Sequence, residues 1–250
     1  MGKRIRIDKL LAHMGLGTRS EIKKAVKQGK VTVDGKAVKD SGLLVESEQA
    51  EVYYEGQQVK YKDMVYFMLN KPQGVISATE DGRERTVIEL LKPEDRLREP
   101  FPVGRLDKDT VGLLLLTNDG QLAHELLSPR KHVAKTYVAH VYGEVGEQDK
   151  QLFAAGVTLD DGYVTMPAEL EVASREQTEE GVISTISLTI KEGKFHQVKR
   201  MFESVGKKVL YLKRVSMGPL LLDESLAEGT YRELTENELE LLRMHRRNTQ

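Results

Sequence analysis

The chain has 250 residues, 39% of them hydrophobic and 31% charged, and its 38 Lys and Arg nearly balance 39 Asp and Glu. Such a chain can bury one large or two modest cores, and it holds no apolar run long enough to span a membrane. It has no cysteine, which excludes disulfides and thiolate chemistry, and its six histidines show no metal-ligand spacing.

The charge is unevenly placed. Residues 1–40 carry eleven Lys and Arg against four Asp and Glu, a net of +7, which leaves −8 for the remainder. A basic module joined to a mildly acidic body is the asymmetry of a nucleic-acid-binding arm. The opening MGKRIRIDKLLAHMG is basic but has neither a continuous apolar stretch nor a small-residue cleavage site. No secretory signal is expected there, and a cytoplasmic location is.

In chain order, Ile5, Ile7, Leu10, Leu11 and Met14 suit a short helix with one apolar face, ending at Gly15. Thr18 and Glu21 have the spacing of a capping box at the start of a second helix. That helix carries Arg19, Lys23, Lys24 and Lys27 and stops at Gly29. Residues 30–33 read as a strand, Asp34-Gly35 as a two-residue hairpin turn and residues 36–38 as the return. Residues 40–62 are polar and Gly-rich with one strand at 51–55, and a domain boundary is expected near 60–63.

A strand at 65–69 then enters NKPQGVIS (residues 70–77). Residues 86–91 look like a short helix and 92–99 like a loop. Four leucines at 113–116, bounded by Gly112 and by Asn118-Asp119-Gly120, read as a buried strand. A helix at 121–127, a strand at 135–142 and a helix at 148–156 follow. Strands are expected at 168–173, 182–190 and 209–215. A helix over 195–205 places Val198, Met201, Phe202 and Val205 on one face. A capped helix over 235–242 comes last, with Thr235 and Glu238 as the capping pair. Strands and helices without regular βαβ alternation predict an α+β fold with a mostly antiparallel mixed sheet.

A polar knot, Arg105-Leu106-Asp107-Lys108-Asp109-Thr110, sits where a loop meets the leucine strand. Loops on a rigid scaffold are common places for catalytic groups. An Asp in such a position reads as well as a turn or capping residue. The whole stretch GRLDKDTVGLLLLTNDG (residues 104–120) resembles the signature motif of the RsuA family of rRNA pseudouridine synthases. The likeness continues through NKPQGVIS, SPRKHVAKTYVA (residues 128–139) and EGKFHQVKRMF (residues 192–202). IRIDKLLAHMGLGTRSEIKKAVKQGKVTVDGKAV resembles the S4 RNA-binding domain, two helices and a hairpin that present a basic surface to folded RNA. The resemblance thus implies an S4-like domain over 1–60 and a synthase catalytic domain over 63–245.

Pseudouridine formation breaks the bond from ribose C1′ to uracil N1, turns the base and joins C1′ to C5. It needs neither metal nor redox cofactor, and none is expected. It needs a carboxylate that can act as nucleophile or base, and a target base out of its stack. Asp107 matches the family's essential aspartate. Lys199 matches its basic partner, which would favour the charged carboxylate; by itself Lys199 equally suits the polar face of a helix. Tyr137 matches the active-site tyrosine expected to stack on uracil, though a strand Tyr also serves as packing. Arg105 matches a position that fills the place of the flipped base, and its flat guanidinium suits stacking and phosphate contacts. Residues 70–72 are expected to be pocket scaffold, and His196 and Gln197 to serve architecture or the RNA backbone, not general-base chemistry.

RNA binding is assigned to Arg105 and to Arg6, Lys9, Arg19, Lys23, Lys24 and Lys27, whose phosphate contacts would position the protein without reading sequence. The resemblance favours the small-subunit 16S rRNA, in an assembly intermediate, as substrate of a monomeric enzyme. Three alternatives stand beside it: a large-subunit 23S synthase, a noncatalytic rRNA-binding assembly factor, and a hydrolase using Asp107 with Asp109, since glycosidases use two carboxylates.

Overall fold

The structure is a computed structural model that describes residues 4–47, 49–61 and 63–248, with side chains up to 245. Residues 1–3 of the predicted basic module and Lys62 at the predicted boundary lie outside the described residues. The chain forms two compact units. The first takes the chain up to Val65 together with Leu91–Pro100, and the second takes Tyr66–Leu90 and the chain from Phe101 onward. Leu91–Pro100, expected in the second domain, thus clusters with the first.

In the first unit β1 (Arg4–Arg6) leads into α1 (Ile7–His13), followed by α2 (Arg19–Lys27). Ile5, expected in the helix, instead pairs with Val45, and the helix begins two residues later. The reason is backbone accounting: the amides of Ile7 and Asp8 donate to the carbonyls of Leu43 and Ser41, which satisfies the first orphan donors of α1 from outside. At α2 the expected capping box forms. Glu21 N donates to the Thr18 hydroxyl at 3.3 Å and Thr18 N to the Glu21 carboxylate at 2.7 Å.

β2 (Val31–Val33) and β3 (Lys36–Ala37) make the hairpin across Asp34-Gly35, whose φ values of 49° and 75° are those of a primed turn. In sequence β4 (Leu44–Glu46) and β6 (Gln57–Val59) flank the expected β5 (Val52–Tyr54); each has only three residues, too few to show an alternation. Ile7, Leu10 and Leu11 of α1, Ile22 and Val26 of α2, and Val31 and Val52 of the strands bury together as this unit's core.

The second unit is built on one nine-stranded sheet. Its members are β7 (Tyr66–Lys71), β8 (Phe101–Pro102), β9 (Val111–Thr117), β10 (Lys135–Tyr142), β11 (Glu169–Thr178), β12 (Gly181–Ile190), β13 (Lys208–Met217), β14 (Leu220–Leu221) and β15 (Tyr231–Glu233). The order is β11-β12-β10-β13-β9-β7-β15, with β14 added to β13 and β8 to β9. Every pairing is antiparallel except β13 with β9.

Between β7 and β8 lie a 3-10 turn (Val87–Leu90) and, in the first unit, the short helix α3 (Pro93–Arg96), in a stretch expected as loop. α4 (Gly120–Leu127), α5 (Glu147–Ala155), α6 (Gln197–Glu203) and α7 (Glu236–Asn248) complete the chain. β9 is buried at all seven positions, as its unbroken apolar run requires for a strand covered on both faces. Leu113 and Leu115 join Leu122 and Leu126 of α4 and Leu242 of α7 in one core.

α6 is shorter than expected. It starts at Gln197 because His196, the residue before it, takes a left-handed conformation at φ 49°, and Phe195 falls outside the helix.

Candidate active site

The loop of residues 104–110 enters β9, and the 70–77 block holds it. Lys71, wholly buried on β7, donates from Nζ to the backbone carbonyls of Thr110 at 2.9 Å, Asp107 at 3.0 Å and Pro72 at 3.1 Å. Gly74 N donates to Lys108 O, and the Ser77 hydroxyl both donates to Leu106 O and accepts from Leu106 N at 3.0 Å. Burial lowers the Lys71 ammonium to about 8, against the pull of Asp107 and Asp109 that would raise it. Gly112, the second residue of β9, sits at φ 101°, and a Cβ there would run into the backbone of Arg214 across the parallel pairing.

A cleft of about 570 Å³ opens beside this loop, with Arg105, Asp107 and Tyr137 in its lining. Tyr137 stands on β10 opposite Leu188 of β12 and Arg214 of β13, and is 8% exposed. Lys199, from α6, puts Nζ 3.4 Å from Asp107 Oδ2. The same ammonium lies closer, 2.6 Å, to Asp109 Oδ1. Asp109 is therefore held below the ordinary carboxylate range, first by that hydrogen bond and then by the Lys199 charge. Lys199 is shared between two carboxylates rather than reserved for one.

Three cleft residues carry more than the sequence suggested. His196 Nε2 lies 3.5 Å from Asp107 Oδ1, so it faces the carboxylate directly. Arg214 is 2% exposed; its Nε donates to Leu113 O at 2.8 Å, and its Nη2 has no partner among the described residues. Lys135 donates to Val133 O, and burial, then the neighbouring Arg214, lowers it to about 8. Leu212, Arg214 and Ser216 alternate as buried positions along β13, so a cation in the inward register was the available signal.

In the first unit, Arg6, Lys9, Arg19, Lys23, Lys24 and Lys27 are all exposed, while Ile22, Ala25 and Val26 turn α2 inward. Arg19, Lys23 and Lys27 recur every fourth residue and share a face. Arg6 differs from the rest: it grips Asp8 through Nη2 at 2.7 Å and Nε at 3.1 Å. Burial alone would raise the Asp8 carboxyl, but the Arg6 hydrogen bonds and charge leave it lowered.

Residues 65–204 match the model of the RNA pseudouridylate synthase family, and residues 5–52 match the S4 domain. An uncharacterized RNA pseudouridine synthase, YtzG, of Bacillus subtilis is 53% identical over 95% of this chain and 98% of its own. The ribosomal small subunit pseudouridine synthase A of Haemophilus influenzae is 40% identical over 95% and 99%. The ribosomal large subunit pseudouridine synthase B of Bacillus subtilis is 41% identical over 95% of each chain. A pseudouridylate synthase crystal structure superposes with a TM-score of 0.65 at 38% identity, covering 95% of this chain and 99% of that one.

The S4 domain, the mixed sheet and these relatives define an RNA-modifying isomerase. The chain belongs to the RNA pseudouridylate synthase family.

Proposed function

We propose that the enzyme converts a uridine of small-subunit rRNA to pseudouridine, with Asp107 as the catalytic carboxylate. The observation that carries this reading is the convergence on Asp107: Lys199 at 3.4 Å, His196 at 3.5 Å and the loop fixed from beneath by Lys71. A carboxylate so placed faces the cleft with an ammonium and an imidazole beside it. It serves as nucleophile or base while the N1–C1′ bond breaks and the C1′–C5 bond forms. The C5 proton leaves and N1 takes one up, so the isomerisation balances without an outside oxidant or reductant.

Tyr137, at the wall of the cleft, stacks on the uracil, and Arg105 takes the place the base vacates. The S4 residues Lys9, Arg19, Lys23, Lys24 and Lys27 supply phosphate contacts. Small-subunit rRNA is favoured over large-subunit rRNA by the SPRKHVAKTY and HQVKRMF blocks, in a chain 40% and 41% identical to named enzymes of either kind. An assembly intermediate as substrate, a monomeric state and a cytoplasmic location belong to the same proposal.

The test is release of tritium from 5-tritiated uridine in rRNA transcripts and subunit precursors. Wild type should release it and Asp107→Asn should not, with RNA binding intact. Equal release by both would remove Asp107 from the chemistry. Pseudouridine mapping in cells lacking the protein identifies the subunit, and loss of a large-subunit site would overturn the substrate assignment.

A further inference from the structure

Phe195 is 70% exposed, and yet it lines the cleft that holds Asp107. An exposed apolar side chain alone means little; Leu221 is as exposed on a short strand. Phe195 differs in chemistry and in mounting. One face of its ring is stacked on His196, with centroids 3.7 Å apart and planes 19° from parallel. His196 in turn reaches Asp107 at 3.5 Å. The ring therefore stands one stacking layer outward from a group that touches the carboxylate, with its far side towards solvent.

The loop that presents it is pinned on both flanks. Before it, the Glu192 carboxylate accepts from Tyr163 OH at 2.6 Å, Met166 N at 2.9 Å and Gln197 Nε2 at 2.7 Å. Lys194 N donates to Gln197 Oε1 at 2.8 Å, and its ammonium lies 4.3 Å from the centroid of the Tyr163 ring. After it, His196 is locked left-handed and Gln197 is buried at the start of α6. None of these contacts consumes the Phe195 ring. They hold a large apolar surface, 70% exposed, in place at the cleft mouth.

We propose that Phe195 is a stacking platform for an unpaired RNA base flanking the target uridine. The inference rests on the reading of the cleft as the place where that uridine is received. The RNA must continue from the cleft across its rim, and a base next to a flipped nucleotide has lost a stacking neighbour. An aromatic face can replace that neighbour without reading sequence, because every base has a π-face. His196 behind the ring makes the stack continuous from the Asp107 side to the flanking base.

The test compares Phe195→Ala, Phe195→Leu and Phe195→Tyr in full-length enzyme, on whichever rRNA transcript gives Asp107-dependent tritium release. Ala and Leu should raise KM by about 5- to 100-fold, the range expected for one lost base stack, while Tyr stays within about 2-fold. Leu keeps apolar bulk without a π-face, so a Leu variant with wild-type KM would overturn the proposal. The chain has no tryptophan, so Phe195→Trp on an Asp107→Asn background gives a single reporter. Its fluorescence should be quenched by the transcript and not by a fully paired RNA duplex. No quenching, or equal quenching by the duplex, would defeat the platform even if Asp107-dependent release stands. Failure of that release would instead strike the reading of the cleft itself.

Discussion

The ammonium of Lys71 lies 3.0 Å from the backbone carbonyl of Asp107, 36 residues further along the chain. Two motifs that look independent in sequence are thus one device: NKPQGVIS is the bed on which the aspartate loop rests. Lys71→Met should remove the ammonium that ties the carbonyls of Asp107 and Thr110 together, leaving Asp107 O only the Thr110 amide, and let the loop drift. A displacement near 1 Å costs about 100-fold in rate, so the expected result is a kcat for tritium release lowered by about that factor at unchanged RNA affinity. A kcat equal to wild type would show that the loop holds itself.

The same lysine gives the fold a pH signature. Its folded value is about 8 and its ordinary value 10.5. Between those pH values the unfolded chain binds a proton that the folded chain does not, so this group makes stability rise with pH across that window. The unfolding free energy of wild type minus that of Lys71→Met should climb by about 1.4 kcal/mol per pH unit between pH 8 and 10. A flat difference in urea titrations would mean that Lys71 is no harder to charge when folded.

Gly112 is the tight point of the sheet. At φ 101°, with the Arg214 backbone where a Cβ would go, Gly112→Ala has to bend the backbone and break the short β9–β13 parallel pairing. Strain and overpacking together should cost about 2–5 kcal/mol in denaturant unfolding. A loss below 1 kcal/mol would show that the pairing is slack.

Much of this was legible beforehand where a local signal was strong. The leucine run of β9, the alternation of β12, the Asp34-Gly35 turn and the Thr18/Glu21 and Thr235/Glu238 boxes declare themselves over a few residues. What stayed hidden depends on distant partners. Ile5 looks helical until Val45 is beside it, and Phe195 looks helical until His196 turns left-handed. Lys71 reads as scaffold, and only folding shows the carbonyls it gathers. The motif resemblance pointed to Asp107, Tyr137, Lys199 and Arg105, yet no spacing rule shows that Lys199 divides itself between two carboxylates.

That division is testable. Lys199 is 2.6 Å from Asp109 and 3.4 Å from Asp107. Asp109→Asn should release the ammonium towards Asp107 and leave kcat within about 3-fold of wild type, since Asp109 is two-thirds exposed and Lys199 keeps Asp107 as its partner. Lys199→Met should lower kcat by about 100-fold or more, as removal of a single charge-stabilising donor does elsewhere. If Asp109→Asn proved as damaging as Lys199→Met, Asp109 would belong to the chemistry.

The basic module makes the last prediction, and it separates cations that look alike in sequence. Each phosphate contact contributes about 0.7–0.9 to the slope of log affinity against log salt. Lys23 and Lys27 lie one turn apart on the outer face of α2, with no ion pair among the described residues, so Lys23→Gln with Lys27→Gln should flatten that slope by about 1–2. Arg6→Met should leave the slope nearly unchanged, because its guanidinium is already committed to Asp8. It should instead lower the urea midpoint of the module and raise the carboxyl of Asp8, now buried without the guanidinium that holds it down. An Arg6 variant that flattened the slope as much as the lysine pair would place Arg6 on the RNA and its contact with Asp8 in the free protein only.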